Sequence, residues 1–277
     1  MPELPEVETI VKTLSKHLIG LKIISGKLLY SQICENKKVI DSETFKGLLI
    51  KDVHRRGKVI LIDLERNITI LFHLGMTGQL FFSSPHDPID RHTHFLLHFE
   101  KYPYELRFRD VRRFGCLAFI RTNEAFSDRR LRRLGPEPLE IEFPIFVTLF
   151  EQKRARLKSL LLDQRFIAGI GNIYADEILF QAKLHPLLPA SLLKKSHLKR
   201  LWRAMREVLR QAIKYRGSTI LNYVNGETRP GEFQSFHRVY GKEAHPCSIC
   251  KTRIRRIKIN GRSTHFCPKC QEPRRKN

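Results

Sequence analysis

Long apolar runs are missing from this chain. None approaches the roughly 20 residues of a membrane-spanning helix, and the N-terminus lacks a signal-peptide pattern. The sequence is therefore expected to be a soluble, cytoplasmic protein with no membrane partner. Internal repeats are also absent. Cysteine is sparse, with 6 in 277 residues, and a chain without secretion features is not expected to keep disulfides. Acid is short as well: 28 aspartates and glutamates face 51 lysines and arginines, a formal charge of +23. Residues 1–100 hold 13 basic and 12 acidic side chains, so nearly all the excess lies beyond them. Such an asymmetry is what a polyanion-binding surface looks like, because neutralising phosphates releases counterions, and nucleic acid is the leading partner.

The chain does have an unusual start, Pro2-Glu3-Leu4-Pro5-Glu6. Once Met1 is removed, the first atom is a secondary amine beside a carboxylate. An α-amine titrates at about 7.7 to 8.0, so a useful fraction is unprotonated at neutral pH and can attack an electrophilic carbon. Val7, Ile10, Val11, Leu14 and Leu18 recur at one-face spacing before Gly20, predicting a helix whose positive end lowers the amine's pKa further. The plainer reading is that proline is common at a helix start and that Glu3 and Glu6 complement the dipole.

Length suggests two domains at about 150 residues each. Runs at 59–62, 68–72, 94–99 and 116–120, separated by turn-forming clusters, read as strands of a sandwich or barrel. Leu134-Gly135-Pro136-Glu137-Pro138 reads as the start of a linker, after which the period becomes helical. The clearest helix runs from an N-cap at Ser196 to Tyr215, with an apolar core stripe, Lys and Arg opposite, and Gly217 as its end. Polar residues 218–235 read as a long loop, a form often taken by functional lids.

Near the end, Cys247-Ser248-Ile249-Cys250 and Cys267-Pro268-Lys269-Cys270 are separated by sixteen residues. This is four-cysteine zinc spacing, in which two turns each give two thiolates to one tetrahedron. Two disulfides or four unrelated thiols are the alternatives. Between the pairs, strands around Asn260-Gly261 put Arg262 just past a hairpin tip. A closed site of this kind is structural. From residue 245 onward ten basic side chains face one acid, a projection suited to phosphate contact. Between Leu160 and Glu177 a helix gives way to turns with Gly169 and Gly171, and a new helix opens at Asn172, a second place to receive an anion. Asn172 can equally be a plain N-cap. Cys34 and Cys116 read as buried small hydrophobes.

Taken together, P-E-L-P-E-V-E-T at the start, R-R-G-K at Arg55 to Lys58, H-L-G-M-T-G from His73, R-R-F-G from Arg112, L-G-P-E-P-L from Leu134, G-I-G-N-I-Y-A-D-E from Gly169 and the cysteine pairs resemble the bacterial formamidopyrimidine-DNA glycosylases over the whole chain. That resemblance implies an α+β fold. A β-sandwich carrying a catalytic N-terminal helix spans residues 1–134, and a linker spans 135–150. A helix-two-turns-helix domain with a base-capping loop spans 151–237, and a zinc finger spans 238–277, with DNA held between the domains. It implies a bifunctional glycosylase and abasic-site lyase that flips out oxidised purines such as 8-oxoguanine. The enzyme would be a monomer associated with the nucleoid, with one structural zinc on Cys247, Cys250, Cys267 and Cys270. By the same resemblance Pro2 is the nucleophile, Glu3 the general acid and base, and Glu6 a supporting carboxylate. Lys58 reaches the damaged site, and its plainer reading is a basic residue in a hairpin turn. Met76, Arg112 and Phe114 fill the gap left by the flipped base, although on pattern alone Met76 and Phe114 read as core. Lys158, Asn172 and Arg262 grip phosphates. The rivals are an endonuclease VIII-like enzyme for oxidised pyrimidines and a non-enzymatic zinc protein that binds DNA.

Overall fold

A computed structural model describes residues 2–35, 45–219 and 230–272. The chain divides into two units. One comprises Met1–Arg132 with Tyr215–Glu232, the other Arg133–Lys214 with Phe233–Asn277.

The first unit begins with helix α1, Leu4–Leu18. Its predicted stripe is buried, and Gly20, at φ +85°, turns the chain out of the helix. Eight strands follow: β1 (Ile23–Leu28), β2 (Ile50–Arg56), β3 (Val59–Leu64), β4 (Ile68–His73), β5 (Gly78–Ser83), β6 (Thr93–Phe99), β7 (Glu105–Asp110) and β8 (Cys116–Arg121). They form two four-stranded antiparallel sheets, ordered β1-β6-β7-β5 and β2-β3-β4-β8. Phe72 and Phe119 of one sheet meet Phe95 and Phe108 of the other at centroid distances of 5.5–6.1 Å, so the layers pack face to face as a sandwich. The stripe of α1 joins the same core. All four predicted strands are present. Of the other four, β1, β2 and β5 carry mixed burial, such as β2 with Lys51 and Asp52 exposed, and β7, though buried, alternates Leu106 and Phe108 with charged residues, so none shows a clear apolar run.

The second unit is helical at first: α2 (Phe143–Thr148), α3 (Leu157–Leu162), α4 (Asn172–Gln181) and α5 (Lys195–Lys214). Residues 135–150, expected as a linker, are packed here. Gly135 N–H donates to Gln164 O at 2.8 Å, and a Cβ on Gly135 would stand 2.6 Å from the Phe166 carbonyl. Helix α5 starts one residue before the expected cap. The unit ends in a hairpin of β9 (Arg255–Ile259) and β10 (Arg262–Phe266). Asn260 and Gly261 have φ of 49° and 74°, the paired positive values of a type I′ turn. No helix among the described residues is long and apolar enough to cross a membrane.

Candidate functional site

Proline cannot donate a backbone hydrogen bond, and Pro5 in the first turn of α1 loses nothing by it. Glu3 is the N-cap, and its N–H donates to Glu6 Oε2 at 2.8 Å. The other Glu6 oxygen accepts the Ser218 N–H at 2.7 Å. Glu6 is only 1% exposed, so these two donors replace the water that a buried carboxylate needs. Gly217, at φ +75°, lets the backbone come so close that a Cβ there would lie 2.5 Å from Glu6 Oε1. Pro2 and Glu3 are buried beside this clamp. The segment expected as a capping loop has its stems tied together. Glu232 N–H donates to Tyr215 O at 2.9 Å, Gly231 N–H donates to Thr219 Oγ1 at 2.7 Å, and Arg216 pairs with Glu232. Residues 220–229 of that loop lie outside the described residues.

Lys58 occupies the two-residue turn between β2 and β3, and Gly57 at φ +57° supplies the first turn position. It is 8% exposed, so it is not an ordinary surface cation. Arg55 ties the stem of this hairpin to α1 through Glu8 at 2.7 Å. Burial, followed by the Lys58 charge, holds His73 below its usual pKa.

The turns after β4 and β7 bring Met76, Arg112 and Phe114 together. A Cβ on Gly75 would lie 2.5 Å from the Phe114 carbonyl carbon, so the two turns touch backbone to backbone. Met76 is 44% and Phe114 56% exposed, which corrects the pattern-based core assignment. The Arg112 guanidinium lies 4.5 Å from the Phe114 ring centroid. Beneath them Asp110 is fully buried. Its Oδ2 accepts the Gly115 N–H at 2.6 Å, its Oδ1 accepts the Arg112 N–H at 3.2 Å, and Oδ1 also takes the Thr77 hydroxyl. Sequence reasoning missed Asp110. Its only signal was a carboxylate just before R-R-F-G.

In the second unit Gly171 is the N-cap of α4 and Asn172 its first helical residue, so the N-cap reading of Asn172 is set aside. The Asn172 side chain donates to Ser263 O at 2.9 Å, joining the helix start to β10, the strand that opens with exposed Arg262. Gln164 shapes the turn before α4: its Oε1 accepts the Gly169 N–H at 2.9 Å, and its Nε2 donates to Ile170 O at 2.7 Å. Lys158 departs from the expectation of a phosphate grip. Its side chain is 0% exposed, and its ammonium pairs with Asp176, which also accepts the His265 N–H at 2.9 Å. A lysine so enclosed supports Asn172 and β10 from within. Glu177 was also missed. Its carboxylate accepts the N–H groups of Arg238, Val239 and Tyr240 at 2.8–3.1 Å, while burial pushes its pKa up.

The four cysteines of the two C-x-x-C pairs are free thiols with all sulfurs within 4.8 Å of one another. Four thiolates at about 2.3 Å from one zinc would sit about 3.8 Å apart. The Cys247–Cys270 and Cys250–Cys267 separations are 3.9 and 3.4 Å. The residues fit one structural zinc ion. Cys34 is buried as expected, whereas Cys116 is only partly buried and meets an Arg130 guanidinium nitrogen at 3.5 Å.

Comparison with known proteins matches this geometry segment by segment. Residues 1–117 match the formamidopyrimidine-DNA glycosylase N-terminal domain, 134–223 the H2TH domain of those enzymes, and 244–273 a zinc finger found in FPG and IleRS. The formamidopyrimidine-DNA glycosylase of Desulforamulus reducens is 42% identical, covering 98% of this chain and 99% of its own, and that of Listeria monocytogenes is 40% identical, covering 98% and 100%. A solved complex of Lactococcus lactis Fpg with DNA containing an abasic site superposes with a TM-score of 0.91 at 34% identity, covering 98% of this chain and 100% of that one. The G226P mutant of the same protein, bound to Fapy-dG DNA, gives 0.90 at 34% identity with the same coverage. Sandwich, helical unit and four-cysteine finger thus follow one another as in these relatives, and the chain belongs to the formamidopyrimidine-DNA glycosylase family.

Proposed function

We propose that this enzyme removes oxidised purines, such as 8-oxoguanine and formamidopyrimidines, from duplex DNA through a Schiff base on Pro2 and then cuts the strand. The Pro2 nitrogen attacks C1′ of the flipped nucleoside as the base departs with its bonding electrons and takes up a proton. Loss of the ring oxygen from C1′ opens the sugar to an iminium. Glu3 delivers the proton to the deoxyribose and takes the next one, as general acid and base. Successive β and δ eliminations release the 3′ and 5′ phosphates, and water returns Pro2 as the free amine.

The observation that carries this reading is the clamp at the start of α1. Glu6 has both oxygens on backbone N–H groups, which fixes the helix end where Pro2 and Glu3 are buried. Lys58 serves the phosphate at the lesion, and Met76, Arg112 and Phe114 fill the vacated stack with Arg112 toward the opposite cytosine. Exposed apolar side chains flanked by an arginine suit that role, because unstacking costs a few kcal/mol that the inserted groups recover in part. Asn172 and Arg262 grip backbone phosphates, with Lys158 behind them. We assign residues 1–134 to catalysis, 135–150 to a linker packed into the helical unit, 151–237 to the helical DNA-binding domain, from which Tyr215–Glu232 groups with the first unit, and 238–277 to the finger. The enzyme acts as a monomer in the cytoplasm at the nucleoid.

Borohydride trapping on a duplex with 8-oxoguanine opposite cytosine, followed by peptide mass spectrometry, tests the mechanism. The expected adduct is on Pro2, and Pro2→Gly keeps DNA affinity while losing excision. An adduct on another residue, or an equally active Pro2→Gly protein, would sink the nucleophile assignment. Trapping only on pyrimidine lesions would move the substrate class.

A further inference from the structure

Helix α5 has two faces of opposite character. Leu198, Leu201, Ala204, Met205, Val208, Leu209 and Ala212 are buried. On the other side Lys195, Lys199, Arg203, Arg206, Arg210 and Lys214 follow at intervals of four or three residues, and all but half-buried Arg206 are exposed. At about 1.5 Å per residue the stripe is roughly 28 Å long, which is the rise of about eight base pairs. Among the described residues no carboxylate pairs with Lys195, Lys199, Arg203 or Arg210. The single acid of the helix, Glu207, takes the Gln181 amide at 3.2 Å instead. Arg206 lies over the Trp202 ring at 4.9 Å, and burial together with the Arg210 charge holds its pKa down. Like charges one turn apart disfavour a helix by a few tenths of a kcal/mol per pair, so Lys195, Lys199 and Arg203 repel one another along the stripe.

We propose that this outer face of α5 is a second phosphate-binding surface, which takes the backbone of an undamaged duplex while another duplex occupies the lesion site. The stripe is separate from the grip assigned to Asn172 and Arg262. The C-terminal end of α4 meets α5 at the flank of the stripe, where Arg200 donates to Ala182 O at 3.1 Å, while Asn172 stands at the opposite end of α4. The partner is a polyanion with a regular repeat, because the cations are evenly spaced and no exposed apolar side chain interrupts them, as one would on a membrane-inserting face. Holding a second segment lets the protein pass between stretches of DNA during its search, a use of non-specific charge contacts.

The inference goes beyond the repair reading and rests on it only for the occupant of the first site. The zinc-loaded full chain is saturated with a short duplex carrying a tetrahydrofuran abasic-site analogue. A labelled undamaged 16-base-pair duplex is then titrated by anisotropy between 50 and 200 mM salt. The second duplex should bind with a log–log salt slope of about −3.6 to −4.5, the value for some four to five phosphates. A Lys199→Gln/Arg203→Gln/Arg210→Gln protein should lose nearly three units of that slope, with more than tenfold weaker second binding and unchanged affinity for the analogue duplex. Lys199→Arg/Arg203→Lys/Arg210→Lys, which keeps the charges, should bind as wild type does. Absence of second binding in wild type, equal binding by the glutamine variant, or failure of the charge-preserving variant would overturn the proposal. Failure of the repair reading would show separately, as equal affinity of the first site for analogue and undamaged duplex.

Discussion

In the first unit, Met76, Arg112 and Phe114 ride on two turns whose shape depends on neutral donors converging on one carboxylate, Asp110. In the second, Asn172 and Arg262 depend on a buried ion pair, Lys158 with Asp176, and on a metal-bound finger. The first arrangement concerns a local turn and leaves the sandwich core untouched. The second is the frame itself, since a small β hairpin with four cysteines has little apolar surface to hold it otherwise. Damage to the two regions should therefore differ in kind, one affecting recognition and the other affecting folding.

The largest effect is expected at the metal. Cys250→Ser should release zinc, whose binding supplies about 10–16 kcal/mol in comparable fingers. The second unit should melt early and DNA affinity should collapse, while the first unit keeps its own transition. Elemental analysis and a melting curve read both, and unchanged zinc content would remove the four-cysteine site. Next comes Asp176→Ala. It strands the buried Lys158 ammonium and should destabilise the second unit by about 3–5 kcal/mol. A Lys158→Met/Asp176→Leu double variant should recover most of that loss in denaturant titration. If the single variant is as stable as the parent, the ion pair is not the frame.

Asp110→Asn tests the other side of the comparison. Asparagine keeps one acceptor oxygen, so either the Gly115 or the Arg112 N–H faces an amide N–H₂, a loss of about 1–3 kcal/mol. That loss should fall on the wedge turns alone. Excision opposite cytosine should lose its advantage over excision opposite adenine, whereas cleavage of a single-stranded abasic site, which has no stack to fill, should hold. A variant that lost both activities equally would make Asp110 a general structural residue and erase the contrast.

Much of this was legible before any coordinates, and the reasons are physical. The α1 stripe, the strands at β3, β4, β6 and β8, helix α5 and the Asn260-Gly261 hairpin each repeat a strong local pattern. The cysteine ligands follow from spacing. What was not legible depends on tertiary approach. Lys158 looks like a surface cation until Asp176 is brought to it from 18 residues away. Met76 and Phe114 look like core because apolar type says nothing about which side of a turn faces water. Glu177 gives no hint that its partners are three backbone N–H groups about 60 residues on. Glu6 meets Ser218 across more than 200 residues, through a glycine whose purpose is visible only in the fold.

The smallest effect sharpens the same point, because it asks whether a paired charge matters when it is half in water. His54 Nε2 lies 3.0 Å from Asp63 Oδ2, on strands β2 and β3, and Asp63 Oδ1 also takes the Thr69 hydroxyl at 2.6 Å. The hydrogen bond that His54 donates to Asp63 raises the His54 pKa above 6.5, against the pull of burial. For Asp63 burial works upward, but the bonds from His54 and Thr69 outweigh it and hold the carboxyl below 3.8. The raised histidine stabilises the fold fully below pH 6.5 and loses that contribution as pH rises through its folded value. The lowered aspartate contributes above pH 3.8 and loses its contribution as pH falls through its folded value. Both hold between about pH 4 and 6.5, so the pair should be strongest there. With the His54 side chain 40% exposed, solvent screening limits the contribution to under about 1 kcal/mol. His54→Gln should thus lower the melting temperature of the first unit by a few degrees at pH 5.5 and by less at pH 8, with excision unchanged. A deficit that stays constant from pH 5.5 to 8 would mean that the imidazole acts by packing and not by charge. The contrast would then narrow to the buried pair in the second unit, where no water competes.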